Sequence, residues 1–509
     1  MIVKVTSSTL IGVDSYPVEV EIDVSSGLPQ FSTVGLPDAV VRESKDRIKA
    51  AVKNSGYRFP PTHVTVNLAP ADIKKEGAGF DLPIAVGILA TEGLVEPDRC
   101  REYLLIGELS LDGAVRRIYG ALSAAFQARE MGMKGIIVPR ENAMEAGMVE
   151  NLEVIPVESL SDVVEFLGGR KLIEPVRVDA GELFRSSLQY PFDFSEIHGQ
   201  EQAKRSLEVA AGGGHNVIMI GPPGSGKTML AQRLPSILPD LSFQEAIETT
   251  KVYSVAGLLD KKGGIIAARP FRSPHHTISD AGLIGGGHLP RPGEISLSHH
   301  GVLFLDELPE YRKNALEALR QPLEEGRVTI TRAAMTATYP SRFMLVAAMN
   351  PCPCGHYGDA RKACRCTPQQ IRQYQARISG PLLDRIDIHI EVPAVRYRDI
   401  RGKGGSESSA AIKGRIDAAR RRQKERFRTE ETFCNARMSD KQIRKHCVID
   451  EDCQRLLEMA MDKLGLSARG YSRILKVSRT IADLEGAERI HASHVAEAIQ
   501  YRNLDRGLI

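Results

Sequence analysis

Gly221-Pro222-Pro223-Gly224-Ser225-Gly226-Lys227-Thr228 follows the apolar run Asn216–Ile220 without a break, and that junction decides the fold. The run reads as a buried strand, and a strand that empties into a glycine-rich loop closed by Lys-Thr builds a cradle for phosphate. The glycines let backbone N–H groups close around phosphate oxygens with no side chain in the way. A helix starting at Lys227 turns the positive end of its dipole toward the same charge. Lys227 is then placed to reach the β- and γ-phosphates, and the Thr228 hydroxyl to ligate Mg2+.

Downstream, Gly301-Val302-Leu303-Phe304-Leu305-Asp306-Glu307 supplies the matching half: a strand over Val302–Leu305 with two acids at its C-terminal end. Asp306 is set to hold Mg2+, and Glu307 to orient and deprotonate an attacking water. Two more strands are read at Arg342–Ala348 and Ile386–Val392. Asn350, just past the first of them, offers an amide to that water or to the γ-phosphate; its other reading is a cap on the next turn. Arg385, in Pro381-Leu382-Leu383-Asp384-Arg385-Ile386-Asp387, could stabilise phosphoryl charge across a subunit boundary or pair locally with Asp384 or Asp387. Arg469 opens a C-terminal helix from which it could reach a nucleotide, with Arg473 one turn later on the same face. ATP binding and hydrolysis is the dominant reading of this set.

Working outward, 509 residues exceed what one hydrophobic core usually organises. Residues 1–175 form one α/β domain, with strands at Val18–Ile22, Val64–Leu68 and Gly135–Val138 and helices at Val40–Val52 and Gly120–Met131. Residues 176–191 are charged and weakly patterned, and read as a linker. The nucleotide core occupies 192–395, and Gly402–Ser409 marks the change to a basic segment and helical lid over 396–509. Helices are read there at Ser409–Arg428, Asp440–Cys447, Asp450–Leu464, Ala468–Glu485 and Ala492–Tyr501.

The formal net charge of +3 points to no partner, but residues 396–446 hold 16 Lys or Arg against 7 Asp or Glu. Such a segment can collect nucleic-acid phosphate without reading bases, or can be a solvated face paired with acids elsewhere in the fold. No apolar stretch approaches the ~20 residues needed to span a bilayer, so a cytoplasmic protein is expected.

Cys352-Pro353-Cys354 and Cys364-Arg365-Cys366 are two C-x-C pairs nine residues apart. Four thiolates suit tetrahedral Zn2+, although C-x-C is tighter than usual, and unmetallated thiols or a redox role stay open. His275-His276 and His299-His300 read as structural hydrogen-bonding or pore-loop groups rather than ligands, because neighbouring side chains on a strand point apart.

Taken in order, these stretches resemble an AAA+ ATPase of the magnesium-chelatase-like group, and the whole chain resembles the bacterial ComM/YifB family. The resemblance is carried by FRSPHHTISDAGLIGGG at 271–287, PRPGEISLSHHGVLFLDELPE at 290–310 and AAMNPCPCG at 347–355. SGPLLDRIDIHIEVP at 379–393 and LSARGYSRILKVSRTIADLEG at 466–486 extend it. It implies that Asn350 is the polar sensor, Arg385 an arginine finger acting on a neighbour's ATP, and Arg469 the sensor arginine of the helical lid. A homo-oligomeric ring, usually a hexamer, follows from those roles. It further implies a helix-2 insertion around Arg269–Arg291 and a hairpin at Gly326–Tyr339, both facing a central channel.

KKEGAGFDLPIAVGILA at 74–90 and GELSLDGAVRRI at 107–118 are similar to the ribosomal-protein-S-five-like fold of the Lon protease catalytic domain. Gly79 and Leu122 stand where that peptidase carries its Ser and Lys, so proteolysis is not expected. The implied function is an ATP-dependent DNA helicase promoting branch migration of recombination intermediates in natural transformation, on single-stranded or branched DNA and with possible recombination-protein partners. The alternatives are a chelatase-like ATPase that remodels a protein partner, and an ATP-binding assembly scaffold.

Overall fold

A computed structural model describes residues 2–188, 190–260, 264–287, 290–332, 335–359, 362–394, 407–430, 432–464 and 467–502. The expected Gly/Ser boundary at 402–409 lies mostly outside the described residues. The N-terminal part is a seven-stranded mixed sheet in the order Gln30–Val34, His63–Ala69, Asp14–Ser25, Ile2–Ile11, Tyr103–Leu105, Gly135–Pro139, Glu153–Val157. Its first two strands form a hairpin in register from Ile2 opposite Asp23 to Ile11 opposite Asp14. The helix Asp81–Thr91 is buried over nearly its whole length and lies across this hairpin. Gly87 permits the approach, since a Cβ there would sit 2.0 Å from Ile22 Cδ1.

Residues 176–191 are not a free tether. Val176 N–H donates to the Val154 carbonyl at 2.8 Å, Ala180–Ser186 is a helix capped by Asp179, and Phe184 meets Phe243 edge-on at 6.1 Å. Val176, Val178, Leu183 and Phe184 join a core that combines N-terminal residues such as Ala125 and Val154 with Leu241, Ile247 and Ile265. Positions 176, 178 and 180 alternate as in a strand and 180, 183 and 184 repeat as in a helix, but each pattern is too short to stand out in the sequence. Further ties cross the same boundary. Arg117 donates to the Leu259 carbonyl at 3.1 Å, Ser254 to Glu145, and Arg291 lies over the Tyr119 ring at 5.3 Å.

The nucleotide core is a five-stranded parallel sheet in the order Phe271–Arg272, Val302–Leu305, Met344–Met349, Val217–Ile220, Ile388–Glu391. Its three central strands are buried at every residue, as a sheet covered on both faces requires. Met219, Phe304 and Val346 face one layer; Ile218, Leu303 and Leu345 face the other. Phe271–Arg272 is the edge strand of this sheet, so the insertion expected over Arg269–Arg291 begins only beyond it. The expected hairpin is present as Arg327–Arg332 paired antiparallel with Met335–Pro340. Val328, Ile330, Ala337 and Tyr339 are buried in the core, while Thr329, Thr331, Arg332 and Thr336 are exposed.

The C-terminal helices are Ser409–Arg426, Asp440–His446, Glu451–Leu464, Ala468–Glu485 and Ala492–Gln500. Ile416, Leu457, Ile474, Ile481 and Val495 share one core with Leu207 and Ala211 of the helix Glu201–Gly213 and with the sheet itself. Among the described residues no helix is long and apolar enough to cross a membrane.

Candidate nucleotide and metal sites

The phosphate loop leaves the C-terminal end of Val217–Ile220 and enters the helix Lys227–Arg233. Gly221 cannot be replaced without moving backbone: a Cβ there would lie 2.1 Å from the Val392 carbonyl oxygen. Gly224 and Gly226 take the positive φ values of 75° and 92° that turn the loop. Lys227 is 8% exposed, and its ammonium donates to the Gly221 and Pro222 carbonyls at 2.8 and 3.0 Å and to Asn350 Oδ1 at 3.4 Å. Burial holds its pKa below the ordinary lysine value, against the opposing pull of Asp306 and Glu307. A triphosphate offers that ammonium a better partner than two neutral carbonyls. Lys227→Ala should therefore weaken ATP binding by about 10- to 100-fold, the value of one or two charge-assisted bonds, in a titration with a fluorescent ATP analogue.

Thr228 Oγ1 donates to Asp306 Oδ2 at 2.8 Å, bringing together the two groups expected to hold Mg2+ although they lie 78 positions apart. An oxygen pair of this kind suits Mg2+. Glu307 follows with φ of 51°, a left-handed conformation that a residue with a side chain adopts at a cost. Its carboxylate Oε2 lies 3.4 Å from His276 Nδ1. His276 is a contact that sequence reasoning missed. Its only signal was membership of a His-His pair in the segment before the acids, and nothing in that spacing names a partner.

Asn350 stands between Lys227 and the cysteine loop. Arg385 stands apart from these groups. The Arg385 carbonyl accepts from Asn216 Nδ2 at 2.9 Å, at the N-terminal end of the strand whose other end carries the phosphate loop. Its guanidinium pairs with Glu324 at 2.5 Å and donates to the Pro381 carbonyl at 2.6 Å. Arg473, rather than Arg469, stands beside it, 3.2 Å from Asp387 in a small cavity also lined by Arg385 and Lys476. Arg469 is exposed in the first turn of its helix. Asp387 is buried; despite that burial, His215 and Arg473 keep its carboxyl well below the usual range.

Cys352 Sγ lies 3.4 Å from Cys354 Sγ and 3.7 Å from Cys364 Sγ, Cys354 and Cys364 are 3.6 Å apart, and all four ligand atoms fall within 4.8 Å of one another. Tetrahedral Zn–S bonds of about 2.3 Å separate sulfurs by about 3.8 Å, so the residues fit zinc. N–H groups of Arg365 and His356 draw Cys354 down to about 6. Cys364 goes up to about 12: the N–H of Cys366 opposes the rise, which comes from burial and the neighbouring sulfurs. Crowded sulfurs of this kind need a cation to become thiolates together.

Glu248, His299 and His300 also converge, but their hydrogen bonding argues against a metal. Arg342 N–H donates to His299 Nδ1 at 3.0 Å, and burial lowers that histidine to about 4. The neutral ring therefore carries its proton on Nε2, toward Glu248 at 3.5 Å, and has no lone pair left to give.

Part of the basic segment is paired within the fold: Arg415 with Glu208 and Glu407, Arg426 with Asp483, and Lys413 with Asp240. Arg342, Arg420, Lys424, Arg428 and Arg437 instead line a cleft of about 600 Å3, against Asp240, Glu245 and Glu430. Phe433 is exposed at its edge under the Arg342 guanidinium.

The family model for magnesium chelatase, subunit ChlI, matches residues 193–400; those for subunit ChlI of Mg-chelatase and for the ChlI C-terminal region match 20–142 and 406–502. The chain is 45% identical over 505 residues to the uncharacterized protein YifB of Salmonella typhimurium, covering 98% of this chain and 96% of that protein. It is 43% identical over 505 residues to the competence protein ComM of Haemophilus influenzae, covering 99% and 97%. The chloroplastic magnesium-chelatase subunit ChlI-2 of Arabidopsis thaliana is 21% identical over 343 residues, 62% of this chain and 75% of that protein.

Proposed function

This chain belongs to the ComM/YifB family of magnesium-chelatase-like AAA+ proteins, and from that premise we propose that it is an ATP-dependent DNA helicase. Its action is branch migration of recombination intermediates in the cytoplasm during natural transformation, as a ring of identical subunits, most simply a hexamer. The observation that carries the ATPase half is the 2.8 Å contact of Thr228 with Asp306, which joins the phosphate cradle to the acid pair. The cleft of Arg342, Arg420, Lys424, Arg428 and Arg437 supports the DNA half. The name of the Haemophilus relative, competence protein, is in keeping with it.

In the cycle proposed, the loop from Gly221 to Gly226 wraps the phosphates and Lys227 leaves its carbonyl partners for them. Thr228 and Asp306 hold Mg2+, which when bound neutralises phosphate charge. Glu307 takes the proton of the attacking water, Asn350 orients that water or the γ-phosphate, and Arg385 of the next subunit meets the charge that develops. Zn2+ on Cys352, Cys354, Cys364 and Cys366 is structural.

The test is ATP-driven displacement of a labelled strand from forked or three-stranded DNA. Displacement that needs hydrolysable ATP is the expected result; tight DNA binding without displacement rejects the helicase. The chelatase matches favour a second reading, remodelling of a protein partner by the same ATP cycle, and turnover stimulated by a protein but not by DNA would select it.

A further inference from the structure

We infer that the cysteine-centred loop is a wall of the ATP site, and that metal held by its four thiolates places Lys362 and His356 to bind the nucleotide. The inference rests on the reading of the adjoining cleft as the ATP site. The cleft, about 490 Å3, is lined on one side by Pro222, Pro223, Gly224 and Gly226 and on the other by His356, Asp359 and Lys362. The two sides touch. Gly355 has φ of 80°, and a Cβ on it would lie 2.5 Å from Pro223 Cδ, so the loop backbone rests directly on the phosphate loop. His356 Nδ1 lies 3.2 Å from Asp359 Oδ2, which orients the ring.

Lys362 is exposed, two residues before Cys364, and among the described residues no carboxylate pairs with it. An unpaired ammonium at the mouth of a phosphate-binding cleft suits an anionic ligand, and the ligand class at hand is a nucleoside triphosphate. What holds the loop there is not secondary structure: among its described residues none is helical or stranded between Met349 and Pro368. Cys352 is its one buried cysteine; its sulfur meets those of Cys354 and Cys364 and accepts from the Tyr357 N–H at 3.3 Å. A loop without a core of its own, closed over a tetrahedral set of sulfurs, takes its conformation from the ion that joins them. Metal occupancy is thereby linked to nucleotide affinity.

The experiment titrates a fluorescent ATP analogue into full-length wild type and Lys362→Ala, each zinc-loaded and each after removal of zinc by a chelator, with zinc content measured and folding followed by circular dichroism. One zinc per chain is expected. Stripping it should weaken analogue binding about tenfold, and zinc re-addition should restore it. Lys362→Ala should cost about tenfold in the loaded protein and nothing more in the stripped one, the non-additivity of a side chain that acts only when the metal positions it. Absence of zinc binding, equal affinity with and without zinc, or an equal Lys362→Ala penalty in both forms overturns the inference. No binding by any form would overturn the ATP-site reading itself, and this inference with it.

Discussion

Glu307→Gln is expected to lower ATP turnover by roughly two to four orders of magnitude, the usual worth of a positioned general base, while ATP still binds. The amide keeps the size and shape of the carboxylate and loses only its ability to accept a proton. Lys227, Thr228 and Asp306 are untouched, so the proposed phosphate cradle and Mg2+ ligands remain. Single-turnover hydrolysis alongside equilibrium binding of the fluorescent analogue separates the two effects. Comparable turnover in wild type and Glu307→Gln would reject Glu307 as the base. His276 sharpens the prediction, because its Nδ1 lies 3.4 Å from the Glu307 carboxylate. If that contact parks the carboxylate away from the attacking water, His276→Ala should leave turnover intact or raise it, opposite in sign to Glu307→Gln.

Both halves of the candidate nucleotide site were legible because each is written in consecutive residues. An apolar strand ends in a glycine loop at Gly221–Thr228, and another ends in acids at Asp306–Glu307. The three central core strands were placed to within two residues at each end for the same local reason: a strand covered on both faces is apolar at every position. What escaped was whatever depends on residues distant in sequence. Phe184 packs on Phe243 and Val176 pairs with Val154, yet their own neighbourhood has the composition of a linker. The edge strand Phe271–Arg272 is too short to show a period, so it was absorbed into the insertion that follows it. The charge excess of 396–446 was legible, but not that Glu208, Asp240 and Asp483 from outside the segment offset part of it. Arg469 and Arg473 share a helix face in sequence, and only Asp387, brought in by the last core strand, distinguishes them.

Arg385→Ala should reduce turnover by about a thousandfold or more with little change in ATP affinity, the signature of an arginine that acts only on the transition state. On the proposed reading the loss arises in a neighbour. Arg385 is bonded at the N-terminal end of Val217–Ile220, and four residues of strand set it roughly 13 Å along the sheet from the phosphate loop of its own chain. Its pairing does not explain the residue: the Arg385 side chain is 10% exposed, but its Glu324 partner is 55% exposed and solvent screens it. Glu324→Ala should accordingly leave turnover near wild type; a loss equal to that of Arg385→Ala would make the arginine a structural prop. The decisive measurement mixes two inactive proteins. Lys227→Ala subunits bind ATP poorly but present Arg385, whereas Arg385→Ala subunits keep the intact cradle and lack the finger. In a head-to-tail ring assembled at random from equal amounts, about a quarter of the junctions place an intact cradle against an intact arginine. Co-assembled protein should therefore recover a substantial fraction of wild-type turnover, far above either parent. Turnover no greater than the mean of the parents would place Arg385 outside the neighbour's site.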